Sequence, residues 1–157
     1  MATVSPENTW SYTLNLPHDP HSARIARTTL RSVLVSHDRD ELVDDAMLLT
    51  SELVTNAYRY SDGPVELRVR HAWEAGIRIT VWDTNPLVPA PFDAPPGGGG
   101  TDVPADGTYG RGLLIVRLCA DNWGSQTFGG PASGAGFRGK LLWCEIGAKS
   151  PVAQLAA

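Results

Sequence analysis

From Asn85 to Gly107 the chain carries six prolines and five glycines, including the run PPGGGG. Proline fixes φ and has no backbone N–H to give, and glycine loses more freedom on ordering than any other residue. This stretch can therefore supply neither a helix nor a central strand. It divides the regular structure into a block before residue 85 and a block after residue 107. A connection of this length inside one domain is usually functional or disordered.

In the first block, TWSYTLNLP alternates Trp10, Tyr12, Leu14 and Leu16, the period of a half-buried strand. A helix follows with Asp19 as its expected N-cap and Pro20 at the first helical position, its apolar face made by Ala23, Ala26, Leu30, Val33 and Leu34. A second helix is expected from Asp38, capped by that residue with Glu41 reaching back, and runs towards Tyr60. Its stripe is Leu42, Ala46, Leu49, Leu53 and Ala57. Val65 to Ala72 and Ile77 to Thr84 alternate on either side of a short turn and predict an antiparallel hairpin.

In the second block, GRGLLIVRLCADNWG predicts an apolar helix, and WGSQTF and FRGKLLWCEI predict two closing strands. Residues 1–147 read as one domain with residues 148–157 as a loose tail, and a chain of 157 residues buries roughly 68–70% of the surface its unfolded form exposes. The formal charge is −4 with Lys and Arg scattered, which gives no electrostatic footprint for nucleic acid or for anionic lipid. The apolar runs are short and the first residues lack a basic start and an apolar signal core, so a soluble cytoplasmic protein is expected. Cys119 and Cys144 lie in apolar runs, as buried small hydrophobes do; a disulfide is the alternative. The four histidines, His18, His21, His37 and His71, are dispersed and imply no metal cluster.

Glu52 and Asn56 stand four apart at the edge of the second helix's apolar stripe. Such a pair is common on solvated helix faces. Facing a cavity beside the sheet, an amide oxygen can ligate magnesium and a carboxylate can accept a proton. Asp83 ends the strand IRITVWD at the mouth of the long connection, where a carboxylate is either a turn residue or an acceptor for an exocyclic amine. Gly107, Gly110 and Gly112 precede an apolar helix, an arrangement that lets backbone N–H groups meet phosphate oxygens.

The order of these motifs, E-x-x-x-N at a helix end, a hairpin ending in Asp, a Pro/Gly-rich loop, then G-x-G-L opening a helix, resembles the GHKL ATP-binding superfamily. That superfamily includes DNA gyrase, the heat-shock chaperone ATPases and the sensor histidine kinases. Within it the chain is most similar to anti-sigma-factor serine kinases and related small actinobacterial ATP-binding regulators. The resemblance implies a Bergerat-type α/β (α+β) fold, a two-layer sandwich with a mixed, mostly antiparallel sheet and helices on one face. It implies an ATP pocket with magnesium on Asn56, Glu52 as general base, Asp83 holding the adenine amine, and Gly110, Arg111, Gly112 and Leu113 around the phosphates. Residues 85–107 would be the lid, mobile when empty and partly ordered by phosphate contacts.

Against that family's pattern, Tyr60 stands where a His is common, Asn85 and Leu87 replace both glycines of D-x-G-x-G, and Leu141 stands where a threonine is expected after Gly-Lys. The resemblance implies an ATP-dependent serine/threonine protein kinase acting on a small antagonist, with a sigma factor as a second partner, as a homodimer. The alternative is a nucleotide-sensing regulator that binds partners without phosphoryl transfer. Glu52 favours the first, and the altered glycine box and Tyr60 favour the second.

Overall fold

The computed structural model describes residues 9–72, 76–90, 92–93, 111–129 and 138–147. In chain order these form β1 (Ser11–Leu16), α1 (Ser22–Ser36), α2 (Val43–Tyr60), β2 (Val65–His71), β3 (Ile77–Asp83), α3 (Arg111–Cys119), β4 (Asn122–Phe128) and β5 (Gly139–Ile146), with a 3₁₀ turn at Asp40–Leu42 before α2. The strands make one five-stranded sheet in the order β1-β2-β3-β5-β4. Expected as mixed and mostly antiparallel, the sheet is antiparallel at every pairing among the described strands.

Alternation along the strands builds a single apolar layer. Leu14 faces Leu67, Leu67 faces Val81, and Val81 faces Leu142, so the register carries one apolar row across four strands, half-buried at Leu14 and buried at the other three. Helix α2 lies on this layer and touches β2, β3 and β5, with α1 and α3 on its flanks. Its buried residues Ala46, Leu49, Leu53, Val54 and Ala57 join Leu30 and Leu34 of α1 and Val116 of α3 in one core. The arrangement is the two-layer α/β sandwich, with α2 as the element that touches most others. Leu53 is fully buried at its centre, so Leu53→Ala should cost about 2–5 kcal/mol.

Two helix starts differ from the sequence reading. Asp38 does not cap α2; it terminates α1 at φ +56°. The Arg39 N–H returns to Leu34 O at 2.8 Å and the Asp38 N–H to Val35 O at 3.2 Å, the paired bonds of a Schellman ending. Asp tolerates the left-handed region better than most residues, so the class of side chain that caps helix starts here ends one. Helix α2 instead follows the 3₁₀ turn with no side-chain cap, and Asp44 and Asp45 complement the dipole in its first turn. At α1, Asp19 accepts the His21 N–H at 2.7 Å and the His21 ring nitrogen at 2.6 Å, and the helix proper starts at Ser22. These bonds, the backbone one foremost, hold the Asp19 carboxyl below its ordinary range.

The other sheet face is paved by tryptophans. The Trp143 indole lies over Gly124, its partner in register, so that a Cβ there would stand 2.5 Å from the ring. The Arg78 guanidinium sits 4.1 Å over the same ring and donates to Glu145 Oε1 at 2.8 Å. No helix among the described residues is long and apolar enough to cross a membrane.

Candidate functional site

The C-terminal half of α2 supplies the first part of the site. Asn56 is 8% exposed, and its amide oxygen is buried without a hydrogen-bond partner. Leaving such an acceptor unpaired costs about 1–3 kcal/mol, a cost that a bound ligand would remove. Glu52, one turn earlier and half-buried, makes no hydrogen bond or ion pair among the described residues. Its neighbour Ser51 is held by Arg27 of α1, whose Nη1 donates to the hydroxyl at 2.9 Å. Core packing thus fixes the helix while two polar groups on its edge stay uncommitted among the described residues.

Asp83, the last residue of β3, supplies the second part. Its carboxylate is paired with Lys140, its register partner on β5. Lys140 Nζ stands 2.9 Å from both Oδ1 and Oδ2, and both side chains are 1% exposed. The same ammonium donates to Asn85 O at 3.1 Å, and the Asn85 N–H donates to Asp83 Oδ1 at 2.8 Å. Asp83 Oδ1 is thus engaged from two sides, and Oδ2 faces the same ammonium.

The altered glycine box explains part of this. Asn85 donates through Nδ2 to Tyr60 O at 2.6 Å and accepts the Leu87 N–H on Oδ1 at 3.0 Å. One asparagine thus ties the chain after β3 to the last turn of α2, work that a glycine cannot do. Leu87 itself points to solvent at 75% exposure, and Tyr60 is half-buried at the helix end. Leu141 is not the residue facing Asp83: it pairs with Trp82 on the opposite face, and the polar position is filled by Lys140. Lys140 could have been found from parity, because it shares a face with Leu142, Cys144 and Ile146. A lysine on a buried face needs a carboxylate at the matching position.

Helix α3 supplies the third part. Arg111 and Gly112 open it, and its first turn leaves backbone N–H groups without intrahelical acceptors. Its packing against α2 puts it beside the helix that carries Glu52 and Asn56. Leu113 is 4% exposed and belongs to the core, so its side chain anchors the helix and only its backbone is available to a phosphate. Gly107 and Gly110 lie outside the described residues, as does most of the expected lid. Of residues 85–107, only 85–90 and 92–93 are described. There Phe92 is buried, and its carbonyl accepts from Ser125 Oγ at 3.1 Å, so the lid's first part returns to β4.

Among the described residues no three His, Cys, Asp or Glu side chains gather as a metal site. Magnesium needs no such cage: it is commonly held by one or two protein oxygens together with substrate phosphates and water. The unpartnered Asn56 oxygen fits that role. Both cysteines are free thiols, and burial pushes the Cys144 thiol up to about 12.

Residues 16–130 match the family model described as a histidine kinase-like ATPase domain. No curated protein matches the chain.

Proposed function

The chain belongs to the histidine kinase-like ATPase domain family, and from that premise we propose that it is an ATP-dependent serine/threonine protein kinase of the anti-sigma-factor regulator type. The observation that carries this reading is the unpartnered buried oxygen of Asn56 one turn from a Glu52 that has no partner among the described residues.

In this reading Asn56 holds magnesium through Oδ1, and the ion supplies charge neutralisation on the phosphates. The N-terminus of α3, with Gly110, Arg111, Gly112 and the Leu113 backbone, receives the phosphate oxygens. Asp83 marks the base end of the pocket. Glu52 takes the proton of a serine hydroxyl as that oxygen bonds the γ-phosphorus and ADP leaves, a role that requires a carboxylate with no other partner. The target serine belongs to a small antagonist protein, a sigma factor is the second partner, and the protein acts as a homodimer in the cytoplasm; all three follow the resemblance.

A second reading, a nucleotide-sensing regulator without transfer, is favoured by the altered glycine box and by the Asp83–Lys140 pair that occupies the strand-end carboxylate. The two readings separate on Glu52. With γ-labelled ATP and the natively co-purified partner proteins, wild type should label a partner. Glu52→Gln should bind ATP within a few-fold of wild type yet lower transfer by roughly two orders of magnitude or more. Transfer by Glu52→Gln at the wild-type rate excludes Glu52 as the base. ATP and partner binding with neither phosphoprotein nor ADP formed establishes the sensing module.

A further inference from the structure

We infer that Lys140 is a positioning residue for base recognition: it keeps the Asp83 carboxylate ionised and turned so that Oδ2 receives the exocyclic amine of the base. The inference rests on the nucleotide site proposed above, with Asp83 at its base end. A carboxylate has two equivalent oxygens and turns readily about its last bond, so an acceptor meant for one particular donor must be pinned by other contacts. Asp83 is pinned by one oxygen. Oδ1 accepts the Asn85 N–H at 2.8 Å and the Lys140 ammonium at 2.9 Å. Oδ2 meets the same ammonium at 2.9 Å as an ion pair only, so its capacity to accept a hydrogen bond stays open.

The ammonium is itself held in place. It donates to Asn85 O at 3.1 Å, and Asp83, Asn85 and Lys140 thereby close a ring of three contacts: N–H to carboxylate, ammonium to carbonyl, and ammonium to carboxylate. Asn85 is locked in turn through its side chain, which donates to Tyr60 O and accepts the Leu87 N–H. Register sets Lys140 opposite Asp83 on the buried face of the sheet, where both side chains are 1% exposed. No other cation pairs with Asp83 among the described residues.

Burial is what makes the lysine necessary. A carboxylate at this depth with no cation beside it is too poorly solvated to stay charged, and it takes up a proton instead. The protonated group carries an O–H donor where the adenine amine also brings a donor, and the match is lost. With Lys140 present the group remains an acceptor on Oδ2, and a base that lacks the amine leaves that acceptor unmet. Lys140 thus acts through Asp83 without touching the base.

Calorimetric titration with the magnesium complexes of ATP and of purine riboside triphosphate, which lacks only the exocyclic amine, tests this on wild type, Lys140→Met and Lys140→Gln. Wild type should bind ATP at least about tenfold more tightly than the amine-free analogue. Lys140→Met, close in length but with neither charge nor donor, should bind the two within about threefold of one another. Lys140→Gln keeps a donor without the charge, and its ratio should fall at least about threefold below that of wild type; it carries the test if Lys140→Met does not fold. A purely structural role for Lys140 would weaken both triphosphates and leave their ratio unchanged. A ratio unchanged or raised in the uncharged variants overturns the inference while leaving the ATP site intact, and so does equal binding of the two triphosphates by wild type. Binding of neither by wild type overturns the nucleotide reading and this inference together.

Discussion

The side-chain amide of Asn85 donates to the carbonyl of Tyr60 at 2.6 Å, and so ties the chain leaving β3 to the last turn of α2. Helix ends leave four carbonyls without intrahelical partners, and this bond satisfies one of them from a neighbouring element. It holds the strand end that carries Asp83 against the helix that carries Asn56. Asn85→Ala removes this bond and the one from Leu87, and should lower stability by about 1–3 kcal/mol in urea denaturation. A loss below about 0.5 kcal/mol would show that the tie has no energetic weight.

The Schellman ending at Asp38 makes a prediction of opposite sign. Its φ of +56° is strained for a residue with a Cβ, less so for Asp. Asp38→Gly removes that strain but frees the unfolded chain, so a net gain of about 0.5 kcal/mol is expected, whereas Asp38→Val should lose about 1 kcal/mol or more. Thermal denaturation orders the three proteins. A valine variant as stable as wild type would mean that the turn is not formed as described.

What the sequence made legible, and what it did not, divides along physical lines. The strands and helices follow from periods of two and 3.6, so β2 ends within one residue of its expected limit at Ala72 and the α2 stripe from Leu42 to Ala57 is buried as read. Asp38 was misread because one short polar side chain serves both helix starts and left-handed turns. Parity places Lys140 on the buried face of β5, but its pairing with Asp83, far away in sequence, is set only by strand register. Side chains alternate between faces along a strand, so Lys140 and Leu141 lie on opposite faces of the sheet and only Lys140 shares the face of Asp83.

Close approach across the open face gives the next prediction. A Cβ on Gly124 would meet the Trp143 indole at 2.5 Å, and one on Gly139 would meet the backbone carbonyl of Asp83. An indole can shift while a carbonyl in a paired strand cannot. Gly139→Ala should therefore destabilise more than Gly124→Ala, with both in the range of about 1–3 kcal/mol. Equal losses in chemical denaturation would contradict the difference in what each methyl meets.

The Cys144 thiol, fully buried and raised from 9.0 to about 12, should be inert in the native protein. At pH 8, thiol-reactive reagent should label at most Cys119, and both cysteines only after unfolding. The sign of the linkage follows from a folded value above the unfolded one. The protonated thiol is favoured by folding, so its contribution is fully present below pH 9 and is lost as pH rises towards 12. Labelling of Cys144 in the folded chain at pH 8 would contradict its burial.

The central claim is that Asn56 holds magnesium for a bound nucleoside triphosphate, and isothermal titration of ATP with and without magnesium tests it most directly. Wild type should bind ATP in the micromolar range with magnesium and at least about tenfold more weakly with a chelator present. Asn56→Ala should bind with the weaker affinity in both conditions, because the oxygen left unpartnered in the folded protein is the one removed. Identical wild-type affinity with and without magnesium, or a full magnesium effect persisting in Asn56→Ala, would contradict the account.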